Sequence, residues 1–592
     1  MRRTLLAVVS TLGLVAATGA AATGARPQEP GPERSERPAL AGTLTTSAAT
    51  AAADDEDRPP HHRLRHGSPR EADLVPRHLD QVGTSLRRFL EPSPDHPLYA
   101  GGVVLAARHG VVAVHEAAGD AVRYTDRDTE LPPQDRVAAR RDTIYDLASV
   151  TKTFTTIAVM QQVESGAVDL DEPVATYLPD FAAEGKASVT VRHLLTHTGG
   201  LPAWVPLYRR HDTVAERRAA VLAAKPTAPP GTAYVYSDLG MITLGMLVEE
   251  VTGRGLDAVV ADGITRPLGM TDTMFDPPES LRHRIAATEE QPWAGRPMIR
   301  GEVHDENAWS LGGVAGHAGL FSTAHDLALL AQTLLNGGRH GRARILEEET
   351  VEAMLTDENT EFPGDSHGLG FELDQRWYMD AMSSPSTFGH TGFTGTSLVI
   401  DPVADTFVVL LTNRVHPTRD RGSNNPARRA VAQGVARAVA VSPRHGRTAW
   451  FSGLGDARTA TLTTTVDPEG ARRMAVGFDL WYDTEAGRDV ARLELSDDGG
   501  ETWRAVPFHL WSGGSVTPTD GEVSGYGGRV WHHAVALVDV TDGEQRLRWT
   551  YTTDSRYQGR GVYVDGVRVM GPDGERLDST GFSADGWSPS RD

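Results

Sequence analysis

"YDLASVTKTFTT", residues 145–156, sets a serine, Ser149, three positions ahead of a lysine, Lys152. Downstream, "TKTFTTIAVMQQVESG" places Phe154, Ile157, Ala158 and Gln161 at helical spacing and runs out at Gly166, so the spacing predicts a helix that opens around Ser149. Residues i and i+3 share a helix face, which brings the Lys152 ammonium toward the Ser149 hydroxyl. A serine hydroxyl is a weak nucleophile until a neighbouring base takes its proton, and a lysine serves when desolvation and nearby positive charge lower its pKa. By itself this spacing equally describes an ordinary capping or surface pair.

Two later stretches bear on that choice. "AYVYSDLGMITLG" (233–245) offers Tyr236, Ser237 and Asp238 in a polar turn that leads into an apolar helix, with Ser237 or Asp238 available as N-cap. Tyr236 is either a general acid or base tuned by a nearby cation, or a core aromatic beside a cap. "FGHTGFTGTSLVIDP" (388–402) puts His390-Thr391-Gly392 ahead of a strand, where a glycine lets backbone N–H groups approach a ligand; it also reads as a plain turn.

Taken in order, S-x-x-K, Y-x-[ND] and [KH]-T-G resemble the motif set of the penicillin-recognising serine hydrolases, meaning class C β-lactamases, D,D-peptidases and related esterases. The resemblance covers about residues 85–441 and extends to "TVRHLLTHTGGLP" (190–202) and "GHAGLFSTAHDLALLAQTLLNGG" (316–338). It implies an α/β fold, an antiparallel sheet flanked by helices plus a helical lobe, with no metal or cofactor. It further implies that Ser149 is acylated, that Lys152 is the proton acceptor or the cation tuning the site, and that Tyr236 shares the base role and protonates the leaving group. The oxyanion hole would be the backbone N–H groups of Ser149 and Phe393, with Asp238, His390, Thr391 and Gly392 lining the substrate. Two departures stand out. Asp238 occupies the place of an asparagine, and His390, neutral for much of the time near pH 7, that of a lysine. Both argue against an efficient β-lactamase and for an esterase or a peptidase of altered specificity.

The same region holds distractors. His193 and His197 in "HLLTH" have zinc-binding spacing but no glutamate of a metalloprotease motif and no evident third ligand. His304, Asp305 and His317 read either as cleft-lining groups or as parts of a structural loop.

Composition bounds the rest. A chain of 592 residues, 39% hydrophobic, suggests two or three folded units. The balance 58 − 79 = −21 disfavours nucleic acid as a partner. There is no cysteine, which removes disulfides and thiol chemistry. Arg2 and Arg3 followed by an apolar run read as a secretory signal over 1–25, and no later segment is apolar enough to span a membrane, so a secreted location is expected. Residues 26–84, rich in Pro, Ala, Arg and Glu, read as a disordered linker, with "HHRLRH" (61–66) a basic patch that is a weak metal or polyanion candidate. Strand texture at "GGVVLAARHGVVAVHEAAG" places the start of folded structure near residue 100.

Residues 442–592 carry short alternating segments around Gly, Thr and Asp turns, a β-sandwich signature. This part resembles the jelly-roll or MAM-like domain of immune inhibitor A-type proteases. Asp479, Asp497, Asp498, Asp554 and Asp565 read as turn and cap residues rather than calcium ligands, and Trp503, Trp511 and Trp549 as core, with cell-surface or carbohydrate binding the functional alternative. The whole reads as a secreted acyl-enzyme hydrolase of a small-molecule or peptide substrate, with cell-wall-derived molecules among the candidates. A D,D-carboxypeptidase or D-aminopeptidase, a β-lactamase, or a non-catalytic sensor or adhesion protein are the alternatives.

Overall fold

The computed structural model describes residues 62–93 and 96–592. The expected secretory signal and the linker up to residue 61 lie outside the described residues. Pro60–Asp592 form one compact unit, within which separate hydrophobic cores lie before and after the region of residue 441.

The first sheet runs in the order Arg65–His66, Val111–Val122, Gly101–Arg108, Thr406–Thr412, Ser397–Asp401, Phe388–Thr391 and Glu372–Leu373. All pairings are antiparallel except the first. "GGVVLAAR" and "TFVVLLT" are unbroken apolar runs because this sheet is covered on both faces. Side chains alternate across a strand. Val103, Leu105, Phe407, Val409 and Leu411 therefore join the core that contains helix Ala324–Leu335, whereas Val104, Ala106, Val408 and Leu410 join the core under helices Pro76–Arg88 and Asn425–Ala438. The first hairpin turns on His109 and Gly110, whose φ values of 51° and 71° fit a tight turn that matches the strand twist.

Residues 62–84 depart from the linker expectation. Arg65–His66 adds a parallel edge strand, and Leu79, Val82 and Leu86 form the buried face of the helix Pro76–Arg88. Low overall hydrophobicity hid a short amphipathic pattern whose few apolar residues all face one way. The described part of the "HHRLRH" patch is docked: a Cβ at Gly110 would lie 2.7 Å from His62 Cβ, and Asp405 meets both His109, at 2.7 Å, and His62, at 3.3 Å.

After residue 441 two antiparallel sheets enclose a second core. One contains Arg473–Asp483, His532–Asp539 and Gly561–Met570, the other Val490–Ser496, Gln545–Thr552 and Thr459–Val466. Phe478, Leu493, Leu547, Trp549 and Val564 fill the space between them. Trp549 is core as expected. Trp511 is not, being 39% exposed on a short edge hairpin, and Trp503 is half-buried with the Arg548 guanidinium 3.8 Å above its ring. Asp498 and Asp554 accept backbone N–H groups of nearby turns. Asp479 and Asp565 instead sit within strands: Asp565 accepts the N–H groups of Gly566 and His445, and Asp479 pairs with Arg444, His445 and His533, because three basic side chains from neighbouring segments converge there.

One arginine ties the two cores together. Arg529, 4% exposed, donates Nε to Asp483 at 2.9 Å and Nη1 to Asp401 of the first sheet, and Nη2 reaches the carbonyls of Ala381, Met382 and Ser383, each at 3.1 Å. Burial opposes its charge, but the two carboxylates more than offset this and raise its pKa. Removing one partner of such a buried set costs about 3–5 kcal/mol, since the remaining charges stay desolvated. Arg529→Met is therefore expected to lower stability by that order in chemical denaturation and to separate unfolding into two transitions. A single transition at unchanged denaturant midpoint would show that Arg529 does not couple the cores.

Candidate active site

Ser149 sits in a single 3-10 turn, Ala148–Val150, which joins the short strand Tyr145–Asp146 to the helix Thr151–Glu164. Ala148 has φ +47°, a left-handed conformation that a residue with a Cβ adopts only when its surroundings impose it. Buried Asp146 imposes it here: one carboxylate oxygen accepts the Ala148 N–H at 2.8 Å and the other accepts the His304 N–H at 2.6 Å. The serine is thereby presented at a sharp corner, half-exposed, while the helix behind it is buried on all sides through Met160.

Lys152, 1% exposed, aims its ammonium at that corner. Nζ donates to Ser149 Oγ at 2.9 Å and to the His317 carbonyl at 3.1 Å, pairs with Asp238 Oδ1 at 2.8 Å, and lies 4.8 Å from the Tyr236 ring centre. Burial disfavours the charged amine, yet Asp238 and Tyr236 outweigh burial and raise the Lys152 pKa above its ordinary value. Tyr236 is pushed up to about 12 by burial, with Lys152 pulling the other way. Ser237 is the N-cap of helix Asp238–Thr252, accepting the Gly240 N–H at 3.3 Å, which leaves Asp238 free to face the lysine.

The third segment is bolted to the first. Thr394 Oγ1 donates to the Asp146 carbonyl at 2.7 Å and Thr396 Oγ1 to the Leu147 carbonyl at 2.9 Å, the two residues that precede the corner. Gly392 is required by this approach, since a Cβ would stand 2.1 Å from Thr396 Oγ1 and 2.2 Å from the Leu147 oxygen. His390 is buried, donates Nδ1–H to the Thr391 carbonyl at 2.8 Å, and has its pKa lowered to about 3 by burial and the Lys152 charge. The histidine is neutral at working pH. Phe393 is 47% exposed and holds its ring over His304 at 5.7 Å.

These elements surround a cavity of about 560 Å³ lined by Ser149, Tyr236, Asp238 and Phe393, and also by His304, Asp305 and His317. The last three are thus cleft walls, and they are structural as well. Asp305 caps helix Glu306–Ser310 through the Ala308 N–H and accepts His317 Nε2–H at 2.9 Å, while His304 Nε2–H reaches Glu289 at 2.8 Å. Trp204 and Trp293 form an aromatic rim, and Arg419, held by Glu289 and Glu306, stacks on Trp293 and Phe393. Arg209 is exposed at the rim and makes no ion pair among the described residues.

His193 and His197 do not share a site. His193 closes a capping box with Thr190, whereas buried His197 accepts the Ser237 N–H on Nδ1 at 3.1 Å and lies 4.6 Å from the Tyr236 ring. "THTGG" is therefore the cradle of the tyrosine. Sequence reasoning also missed Glu372, which reaches the site only because its two-residue strand pairs with Phe388–Thr391. Burial raises its pKa to about 7, against the opposing pull of Tyr378, Arg428 and Lys152.

A carboxyl whose folded pKa lies above its unfolded value binds its proton more tightly when folded, so its unfavourable contribution grows as pH rises from about 4.5 to about 7. Glu372→Gln is expected to flatten this part of the stability profile, gaining on the parent by on the order of a few kcal/mol at pH 8 relative to pH 4. Parallel pH–stability curves for the two proteins would refute a buried, titrating Glu372.

A family model described as Beta-lactamase matches residues 86–433, and one described as Immune inhibitor A-like, MAM domain matches 418–583. A protein of Escherichia coli (strain K12) named "Putative D-alanyl-D-alanine carboxypeptidase" is 34% identical over 394 residues, 61% of this chain and 88% of that protein. Among solved structures, EstCE1, a hydrolase with promiscuous acyltransferase activity, is 25% identical, with 62% of this chain and 100% of that one covered and a TM-score of 0.49. A family VIII carboxylesterase is 23% identical, with 62% and 98% covered and a TM-score of 0.48.

Proposed function

This chain belongs to the beta-lactamase family and is a serine hydrolase, and from that premise we propose that it cleaves an ester or amide through an acyl-enzyme on Ser149. The observation that carries the assignment of residues is the contact of buried Lys152 Nζ with Ser149 Oγ at 2.9 Å, made at the floor of an open cavity beside Tyr236. Ser149 Oγ attacks the substrate carbonyl, forming the C–O bond as its proton passes to the Tyr236 oxygen; burial holds Tyr236 up at about 12, so the phenolate this requires is a minor form that the adjacent Lys152 charge favours. Of the two roles open to Lys152, the raised pKa supports the cation, which favours that phenolate, over the proton acceptor. The tetrahedral oxyanion is taken by the Ser149 and Phe393 N–H groups, the kind of donor whose removal costs about two to three orders of magnitude in rate. Tyr236 then returns the proton to the leaving group as the C–O or C–N bond breaks, and water repeats the sequence to release the acyl group.

Neutral His390 supplies no fixed charge for a β-lactam or peptide carboxylate, and Asp238 is committed to Lys152. This supports a neutral ester as substrate. A second reading, a D,D-peptidase acting on wall peptides, is favoured by the name of the Escherichia coli relative and by Arg209, an unpaired rim cation among the described residues that suits a terminal carboxylate. Export through residues 1–25 belongs to the same proposal. No helix among the described residues is long and apolar enough to cross a membrane. The sandwich domain would serve in attachment to a surface glycan, a role that exposed Trp511 between His509 and His533 suits.

A fluorophosphonate probe should add one label to the mature protein and none to Ser149→Ala, read by intact mass; equal labelling, or none in either, overturns the assignment. Turnover of short esters against D-alanyl peptides then separates the two substrate readings. Asp238 raises the pKa values of both Lys152 and Tyr236, so Asp238→Asn should move the pH–rate profile to lower pH by about one unit or more. An unmoved profile would mean that neither group governs the rate.

A further inference from the structure

A second cavity, of about 510 Å³, lies where the sandwich domain meets the helices of the first, and shares no lining residue with the Ser149 cavity. Four arginines line it: Arg77 from helix Pro76–Arg88, Arg437 from helix Asn425–Ala438, Arg560, next to strand Gly561–Met570, and Arg591, with the carboxylate of Asp592 beside them. Arg77 is 62% exposed and pairs with Asp592 at the mouth.

The two inner arginines are held differently. Arg560, 7% exposed, donates Nη2 to the Val439 carbonyl and lies 5.0 Å from the Trp481 ring, but makes no ion pair among the described residues. Arg437 makes none there either, and its Nε is buried without a hydrogen-bond partner. Burial brings the Arg560 pKa down to about 10, helped by the Arg529 charge, and lowers that of Arg437; the carboxylates of Asp483, and of Asp380 and Asp456, are too far away to offset it. A buried unpaired charge is strongly unfavourable. Among the described residues no carboxylate lies within ion-pair distance of these two groups; Asp380 and Asp456 act on Arg437, and Asp483 on Arg560, only from farther away, and the Asp592 carboxylate in the cavity lining is paired with Arg77.

We propose that this junction cavity binds an oxyanion, a phosphate or carboxylate group carried on a small organic molecule, with Arg437 and Arg560 as its charge partners. Guanidinium groups suit such a ligand because their planar N–H pairs match two oxygens of phosphate or carboxylate. The volume is that of an organic ligand site rather than of a bare ion. Stacked Phe451 and Tyr563, 4.6 Å apart, supply an aromatic wall for the carrier. Because Arg77 and Arg437 belong to the first domain and Arg560 to the second, the ligand bridges the two.

Isothermal titration of the full chain with inorganic phosphate tests this. One saturable site is expected, weakened at least tenfold in Arg437→Gln and measurably in Arg77→Gln, and unchanged in Ser149→Ala, which separates it from the hydrolytic cavity. Glycerol phosphate and glucuronate then distinguish a phosphate-bearing from a carboxylate-bearing ligand, the tighter one naming the class. Arg77 is exposed and its variant should fold even if Arg437→Gln does not, which a melting curve without phosphate establishes. Absence of saturable binding, or binding undiminished in the folded variants, overturns the proposal.

Discussion

Burial of the Lys152 ammonium is the constraint around which the first domain is arranged. A full charge with 1% exposure is tolerated only when oxygens replace its water. They come from the turn that carries Ser149, from the start of the helix that carries Asp238, and from the His317 carbonyl in a glycine-rich loop. The same need that stabilises the lysine therefore collects the reactive groups. Tyr236, two places before the lysine's partner Asp238, thereby comes to lie beside the ammonium, and its ring packs on His197. Asp238 stands where the resembled motif has an asparagine, and its carboxylate raises the Lys152 pKa, so the ammonium keeps its charge.

The sheet supplies the rigidity this requires. Both of its faces are dry, so a one-residue slip of Ser397–Asp401 against Thr406–Thr412 would only exchange one core for the other along the strands. Register is pinned instead at the ends, by Thr394 and Thr396 bonded to the carbonyls before Ser149 and by Gly392, which admits no side chain. Strained Ala148 is the other side of that joint. The corner keeps its conformation because Asp146 satisfies N–H groups on both sides of the cleft.

Where the domains meet, two kinds of arginine appear. Arg529 is fully compensated by Asp401, Asp483 and three carbonyls, and acts as a structural tie. Arg437 and Arg560 make no ion pair among the described residues and line the junction cavity, although Arg560 also bonds the Val439 carbonyl. The contrast within one interface separates a charge that ties the fold from charges for which an oxyanion partner is proposed.

Much of this was legible in the residues themselves. Ser149, Lys152, Tyr236 and His390 lie in short motifs whose chemistry depends on local spacing, and the helix after Ser149, the hairpin at His109-Gly110 and the alternating strands of the sandwich follow from periodicity and turn residues. The expected all-β second domain rests on those same local patterns, whereas the α/β fold of the first is what the resemblance carried by the ordered motifs implies. What only the tertiary structure decided are relations between segments far apart in the chain. Helix Pro76–Arg88 has too few apolar residues to announce itself until a sheet face is there to cover. Glu372 acquires its pKa, His197 its place under Tyr236, and Lys152 its permanent charge from neighbours up to some hundreds of residues away. Local sequence sets which groups are present and their nearest geometry; desolvation and counter-charge, which set what those groups do, exist only once distant segments have packed.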